Sequence, residues 1–274
     1  MRIAFQGEHG AYSEEAIFKH FGDSAESMPC PSLKSVLDSV MSKEADLGAL
    51  PVENTIEGSI DETLNLLLEC PLNILGEEIV RIIHCLIANP GVSLKNIVRV
   101  YSHPQALGQC KLFLEKNRLE PVNAHDTAGS VRMLRDLKMM DAAAIASYRA
   151  AEIYGMEILA RHIESNPENF TRFLIVGMGE AHPSGEDKTT IAFTGKGGTS
   201  SIGDALRCFS ESGIKITRLY PRPFIGKPWQ YIFYLDFEGH IKQGKVKAVI
   251  ERLESSSTLL RILGSYPKAK NIPS

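Results

Sequence analysis

The sequence predicts an α/β protein followed by a smaller βαββαβ domain, and three observations lead there. Short apolar runs alternate with amphipathic, helix-like stretches from the first residues to Met178, an alternation that favours a parallel sheet flanked by helices. The stretch GEAHPSGEDKTT (Gly179–Thr190) then gathers Gly, Pro, Ser and charge between two apolar strands, as domain boundaries do. Beyond it the order changes to βαββαβ, the split pattern of ferredoxin-like domains. At 274 residues the chain exceeds the usual single domain, so two are expected, at residues 1–180 and 189–267.

In order, RIAFQG is a strand and AYSEEAIFKHFG a helix stopped by Gly22. SLKSVLDSVMSKE is amphipathic and helical, ADLGALPVEN a strand entering a loop, and ETLNLLLEC a helix. LNILGEEIVRIIHCLIANPG is extended and apolar. VRVYSHPQALGQCKLFLEKN gives strand, turn and helix, and LEPVNAHDTAGSVRMLRDL repeats that order. DAAAIASYRAAEIYG is expected to be mostly helical, and TRFLIVGM closes the first part as a strand. In the second part KTTIAFTG is a strand and SSIGDALRCFSESG a helix with Ser at its start and Gly213 at its end. IKITRLYPRP and WQYIFYLDFEG are strands across a Pro/Gly-rich connection, KVKAVIERLESS is a helix, and LLRILGSYP is the last strand.

Composition excludes several classes. Hydrophobic residues make up 43% and charged residues 23%, with a net charge of −3, so nothing points to nucleic acid or an acidic lipid surface. No stretch approaches the roughly 20 apolar residues that span a bilayer, and the start is too short in apolar residues for a signal peptide. The five cysteines are odd in number and widely spaced, without CxxC, which suits reduced packing thiols in a cytoplasmic protein.

Four stretches share one design, in which a strand ends and polar or glycine residues open a helix: QGEHGAYSEEA, LPVENTIEGSIDET, YSHPQALGQC and AHDTAGSVRML. Helix N-termini carry unpaired N–H groups and a partial positive charge. One such start is ordinary capping; four in one α/β unit point to a crevice for a carboxylate-bearing ligand. Glu53-Asn54-Thr55 follows an apolar strand and either caps the next element or offers donors and an acceptor at the strand's end. Ser102-His103-Pro104-Gln105 presents the same choice. His103 invites a general-base role, histidine being the side chain suited to one, but no nucleophile or orienting acid can be placed beside it, and no metal-ligand spacing links the histidines. GKGGT (Gly195–Thr199) lacks the Lys-Ser/Thr of a phosphate loop and is taken as a turn. Thr171-Arg172 stands between the turn-prone ESNPENF and an apolar strand, where neither turn nor strand calls for it.

These motifs, FQGEHGAYSEEA, PVENTIEGSI, YSHPQALGQC and AAAIASYRAAEIYGMEILARHIESNPENFTRF, with the βαββαβ tail, resemble prephenate dehydratase in the family's order, almost from Met1 to Pro267. The resemblance implies a two-lobed catalytic part similar to type II periplasmic binding proteins, with a cleft between the lobes, and a tail that is an ACT regulatory domain. It implies conversion of prephenate to phenylpyruvate with loss of water and carbon dioxide on the route to phenylalanine, without metal or organic cofactor. The amino analogue arogenate is the alternative substrate. A catalytically dead phenylalanine-responsive regulator and a solute-binding protein of the same fold are the alternative classes.

Residue by residue, Thr171-Arg172-Phe173 matches the family's catalytic Thr-Arg-Phe motif, with Thr171 the donor to the leaving oxygen, Arg172 the carboxylate partner and Phe173 packed against the ring or holding the loop. Asn54 and Thr55 match a Glu-Asn-Ser site, with Glu53 an acid or a structural acceptor, and Ser102 and Gln109 supply further donors. The effector, phenylalanine, would meet Gly203, Asp204, Ala205 and Leu206, where the family has Gly-Ala-Leu, and Arg222 and Pro223 of Tyr220-Pro221-Arg222-Pro223, where it has Glu-Ser-Arg-Pro. A homodimer or homotetramer is expected.

Overall fold

The computed structural model describes residues 1–197 and 200–270. The chain forms two compact units, one of Met1–Asp61 with Glu78–Phe173, the other of Glu62–Glu77 with Leu174 onward. The second unit therefore takes in residues 62–77 as well as the tail.

The first sheet runs in the order β2-β1-β3-β11-β5, from Glu26–Cys30, Arg2–Gln6, Leu47–Asn54, Phe170–Gly177 and Asn73–Arg81, with the two-residue β4 (Gly58–Ser59) beside β3. Strand β1 pairs in parallel with both β2 and β3. Helices α1 (Tyr12–Phe21) and α2 (Leu33–Met41) return the chain between these strands, and α3 (Asp61–Glu69) precedes β5. The sequence does not announce β2: it is an edge strand, ESMPC, largely solvated and carrying Pro29, and proline is tolerated at edges.

The second sheet has the order β10-β6-β9-β7-β8, from Glu157–Arg161, Cys85–Ala88, Ala142–Ala146, Arg99–Ser102 and Glu120–Asn123. It is mixed: β7 lies parallel to β8 and β9, whereas β6 is antiparallel to β9 and β10. Helices α4 (Pro104–Gln109) and α5 (Lys111–Asn117) follow β7 with a break at Cys110, α6 (Thr127–Asp136) follows β8, and α7 (Tyr148–Tyr154) follows β9. The expected long helix over DAAAIASYRAAEIYG is thus a strand and then a helix. Alanine's helix propensity loses here to burial on both faces. Ala143 and Ile145 pack on one side with Leu86, Val100 and Leu107, and Ala142, Ala144 and Ala146 on the other with Val131, Leu134 and Ala150. Ser147 then opens α7 by accepting from Ala150 N.

The tail is the expected βαββαβ: β12 (Asp187–Gly195), α8 (Ser201–Glu211), β13 (Ile216–Pro223), β14 (Tyr231–Glu238), α9 (Gly244–Ser256) and β15 (Ser257–Pro267). Its antiparallel sheet has the order β13-β14-β12-β15, the ferredoxin-like arrangement of an ACT domain. One face is apolar, Ile191, Phe193, Leu235 and Phe237 meeting Phe209 of α8 and Val249 of α9. Within the second unit Lys188 of β12 donates to both oxygens of Glu77 at 2.7 and 2.9 Å, a buried pair. Of GKGGT, Gly198 and Thr199 lie outside the described residues.

All five cysteines are free and buried. Among the described residues no helix is long and apolar enough to cross a membrane.

Candidate active site

A cleft of about 730 Å³ opens in the first unit, within the range of small-ligand sites. Strand ends and helix starts of both sheets line it: Gln6 to Glu8 after β1, Asn54 at the end of β3, Thr171 and Phe173 of β11, Gln105 and Gln109 of α4, and Asp126 and Thr127 opening α6. All four stretches singled out for their strand-to-helix design contribute to it. Gly10 shows how tightly two elements meet here. Its φ is +91°, and a Cβ would stand 2.6 Å from Ala150 Cα at the start of α7. Its carbonyl accepts a 2.6 Å bond from Ser147 Oγ.

Strand alternation decides which motif residues reach the cleft, because successive side chains point to opposite faces. Thr171 and Phe173 lie on one face of β11 and Arg172 on the other. Thr171 is 8% exposed and its Oγ1 accepts from Asn54 Nδ2 at 3.0 Å. Asn54 is itself fixed, since its Oδ1 accepts Ile56 N at 2.9 Å and Glu57 N at 3.0 Å. The Thr171 hydroxyl thus receives a hydrogen bond and, among the described residues, gives none, so its proton is available to a group in the cleft. Asn54 Nδ2 also reaches Asn169 Oδ1 at 2.8 Å. Asn169 Nδ2 donates to Gln109 Oε1 at 2.9 Å, and His84 Nε2 meets the same oxygen at 2.9 Å. Phe173 is buried with Ala16, Val80 and Ile82 against Tyr12.

Other expected site residues lie elsewhere. Arg172 does not line the cleft; its Nε stands 3.4 Å from Glu53 Oε2, so the expected carboxylate ligand and the expected acid face each other on the reverse of the two strands. Thr55 also stands outside the lining: its Oγ1 donates to Glu168 O at 2.8 Å and accepts Phe170 N at 2.9 Å, fixing the segment that leads into Thr171. Ser102 is fully buried, donating to Ile145 O at 2.7 Å and so tying β7 to β9. Gly203, Asp204, Ala205 and Leu206 fall on the first turns of α8, and Arg222 and Pro223 end β13. His103 lines the cleft, but its Nδ1 accepts Gln105 N as the cap of α4. The sequence reading missed His84 and Tyr12. The signal for His84 is a lone polar side chain within the apolar run IVRIIHCLIA, since a buried polar group must find partners.

No lysine or arginine is among the described residues lining the cleft. What it offers an anion is backbone N–H groups and neutral side chains such as Ser13, Gln105 and Thr127. Helix α1 starts at Ala11, which has no side chain to cap it, whereas α2, α6 and α7 are capped by Ser32, Asp126 and Ser147. The N–H groups of its first turn, at the cleft residues Tyr12 and Ser13, are therefore free of a side-chain cap. Both acids of the cleft are engaged, Glu8 with Arg132 at 2.7 Å and Asp126 with Gly129 N. Burial lowers the His84 imidazole below its ordinary value of 6.5, against the Gln109 hydrogen bond and the charge of Glu164. Burial likewise holds the Tyr12 phenol well above its ordinary value. Among the described residues no three His, Cys, Asp or Glu side chains are grouped as metal ligands would be.

Comparison with known proteins bears on the family and the fold. Residues 3–181 match the family model for prephenate dehydratase. The chain is 38% identical to a bifunctional chorismate mutase/prephenate dehydratase of Aquifex aeolicus, across 98% of this chain and 74% of that protein. A solved prephenate dehydratase from Arthrobacter aurescens, in complex with L-Phe, superposes with a TM-score of 0.89 at 30% identity, covering 100% of this chain and 92% of that one. A solved structure described as a quorum-quenching acylase, GqqA, is similar at a TM-score of 0.90 and 33% identity, covering 98% of this chain and 99% of that one.

Proposed function

The chain belongs to the prephenate dehydratase family, and from that premise we propose that it converts prephenate to phenylpyruvate, with the Thr171 hydroxyl as donor to the departing ring oxygen. The observation that carries this role is the Asn54–Thr171 hydrogen bond of 3.0 Å, which takes an acceptor site of the hydroxyl and leaves its proton to the cleft. In the reaction the bond between ring and carboxylate breaks, and its electron pair completes the aromatic ring. The ring C–O bond breaks with its pair on oxygen, and a proton makes that oxygen water. Thr171 stabilises the charge gathering on the oxygen; a threonine hydroxyl is too weak an acid to supply the proton unaided, so water completes the transfer. Aromatisation drives the reaction, and the protein's share is to orient a dianion and stabilise one leaving group. The uncapped start of α1 receives a carboxylate. Gln109 and Phe173 shape the cleft around the ring, while Glu53, Thr55, Ser102 and Arg172 hold the strands that present Asn54 and Thr171.

Prephenate is taken over arogenate because Glu8 and Asp126, the acids of the cleft, already have partners in Arg132 and Gly129 N. Acyl transfer, the activity named for GqqA, calls for a base-activated nucleophile; among the described residues no serine, threonine or cysteine of the cleft hydrogen-bonds a histidine. The tail binds phenylalanine near the start of α8 and the end of β13 and inhibits through it, which requires the effector to prefer one conformational state. The protein works in the cytoplasm as a homodimer or homotetramer. Edge strand β13, with Leu219 and nearby Ile225 and Trp229 exposed, supports that assembly. The test is an assay of phenylpyruvate formed from prephenate with and without phenylalanine. Turnover that phenylalanine lowers, and that Arg222→Ala releases from inhibition without loss of basal rate, is expected. A purified protein inert toward both prephenate and arogenate overturns the reading.

A further inference from the structure

Resting on the dehydratase reading, we propose that His84 is a positioning residue: its Nε2–H fixes the direction of the Gln109 amide at the end of an amide chain that leads to the Thr171 hydroxyl.

The chain has one polarity, and the polarity can be deduced. An asparagine or glutamine amide taken alone can be turned either way. Asn54 cannot, because two backbone N–H groups, which only donate, meet its Oδ1. Its Nδ2 must therefore face Asn169 and Thr171. Asn169 then has to present Oδ1 to Asn54 and Nδ2 to Gln109. Gln109 presents Oε1 in turn, and its Nε2 points to the Glu57 carboxylate at 3.3 Å, an acceptor, as the same polarity requires. The atom that completes the Gln109 oxygen, His84 Nε2 at 2.9 Å, must carry a proton.

The surroundings of His84 hold it for that task. It is 2% exposed. Its backbone N–H donates to Glu164 Oε2 at 3.0 Å, and the Tyr12 ring stands edge-on at 5.6 Å between centroids. With the proton on Nε2, Nδ1 is the acceptor, and Tyr12 Oη lies 2.9 Å from it. Tyr12 has a second acceptor in Ile83 O at 2.8 Å, so its single proton can serve either without disturbing the chain. Were the neutral ring protonated on Nδ1 instead, a lone pair would face the lone pairs of Gln109 Oε1. Turning the Gln109 amide to relieve this would set its NH₂ against the NH₂ of Asn169, and the conflict could not pass along the chain because Asn54 is pinned. Gln109, a residue of the cleft, would lose its fixed direction. A side chain lacking a donor at the Nε2 position leaves the Gln109 oxygen held by Asn169 alone, so the assignment depends on one proton rather than on the bulk of the ring.

The test has an arm independent of turnover. In full-length protein labelled with ¹⁵N-histidine, the neutral His84 ring is expected to show a protonated Nε2 and an unprotonated Nδ1; a neutral ring protonated on Nδ1 overturns the proposal. In the kinetic arm, His84→Leu is expected to lower kcat by about 10²-fold, the cost of a misplaced reacting geometry, while KM moves by less than about threefold. His84→Gln, whose amide can donate near the Nε2 position, should recover most of the rate. In a Gln109→Ala background His84→Leu should cost almost nothing further, because residues acting as one unit are non-additive. A His84→Leu enzyme with the wild-type kcat, or one whose loss is equal with and without Gln109, returns His84 to a structural role. If His84→Leu does not fold, His84→Gln and the ring tautomer decide. A wild-type protein that does not dehydrate prephenate is a failure of the reaction assigned above, and it leaves the tautomer arm to decide the orientation.

Discussion

Two faces of the same pair of strands both carry motif residues, and these have opposite fates. On the cleft side of β3 and β11, Asn54 and Thr171 meet at 3.0 Å within a chain of amides that is pinned by backbone N–H groups. On the reverse, Glu53 and Arg172 meet at 3.4 Å, with the glutamate side chain 38% exposed. The difference teaches that neighbours in a strand motif are not neighbours in a site. It also separates two kinds of electrostatics: a neutral, fixed dipole chain faces the reacting group, and the formal charges hold the scaffold. Preorganised neutral donors suit a leaving oxygen whose charge appears only as the bond breaks.

The largest expected break of this comparison is on the cleft side. Thr171→Val should lower kcat by about 10²–10³-fold, the usual worth of one such donor, with kcat/KM falling in parallel. A variant keeping a third of the wild-type rate would take Thr171 out of the reaction. Next, Gln109→Ala removes a cleft amide and one link of the chain, and about a 10²-fold loss of kcat is expected; an effect confined to KM would instead make Gln109 a uniform binding group.

On the reverse face the expected kinetic effect is small. Arg172→Lys keeps the charge and loses the planar fork, so stability should fall by about 1 kcal/mol while kcat stays within about threefold, under 1 kcal/mol of barrier. A collapse of kcat with unchanged melting would move Arg172 back to the substrate. The smallest effect sharpens the electrostatic half of the comparison. Burial lowers the His84 pKa below 6.5, so the unfolded chain binds a proton there more readily than the folded one. Stability should therefore fall as the pH drops below the ordinary histidine range and be fully present above it. Thermal melts between about pH 8 and about pH 5 should show that slope, flattened in His84→Gln; the same slope in both proteins would assign it to other groups.

Much of this was legible in the sequence because the signals were local. The helix starts and the βαββαβ order each rest on a few adjacent residues. Asn54, Gln109, Thr171 and Phe173 were named as site residues and all line the cleft. What failed was non-local. Arg172 was assigned to the substrate on its chemistry, although the period of two along β11 turns it away from Thr171. Ser102 looked like a donor for the cleft, yet its partner is the carbonyl of Ile145, a strand away. The alanine run of β9 looked helical because only the completed sheet, covered on both faces, makes small residues the right size there. His84 went unnoticed because its partners, Tyr12, Gln109 and Glu164, lie far from it in sequence.

The central claim, that Asn54 orients the Thr171 hydroxyl toward the leaving group, is tested most directly by a double-mutant cycle on kcat with prephenate. Asn54→Asp keeps the acceptor that Ile56 N and Glu57 N require and replaces the donor to Thr171 with an oxygen that captures the threonine's proton. The account predicts that Asn54→Asp loses nearly as much as Thr171→Val, about 10²-fold or more, and that the double variant is no slower than Thr171→Val alone. Losses that multiply in the double variant would mean that the two side chains act independently, and would contradict it.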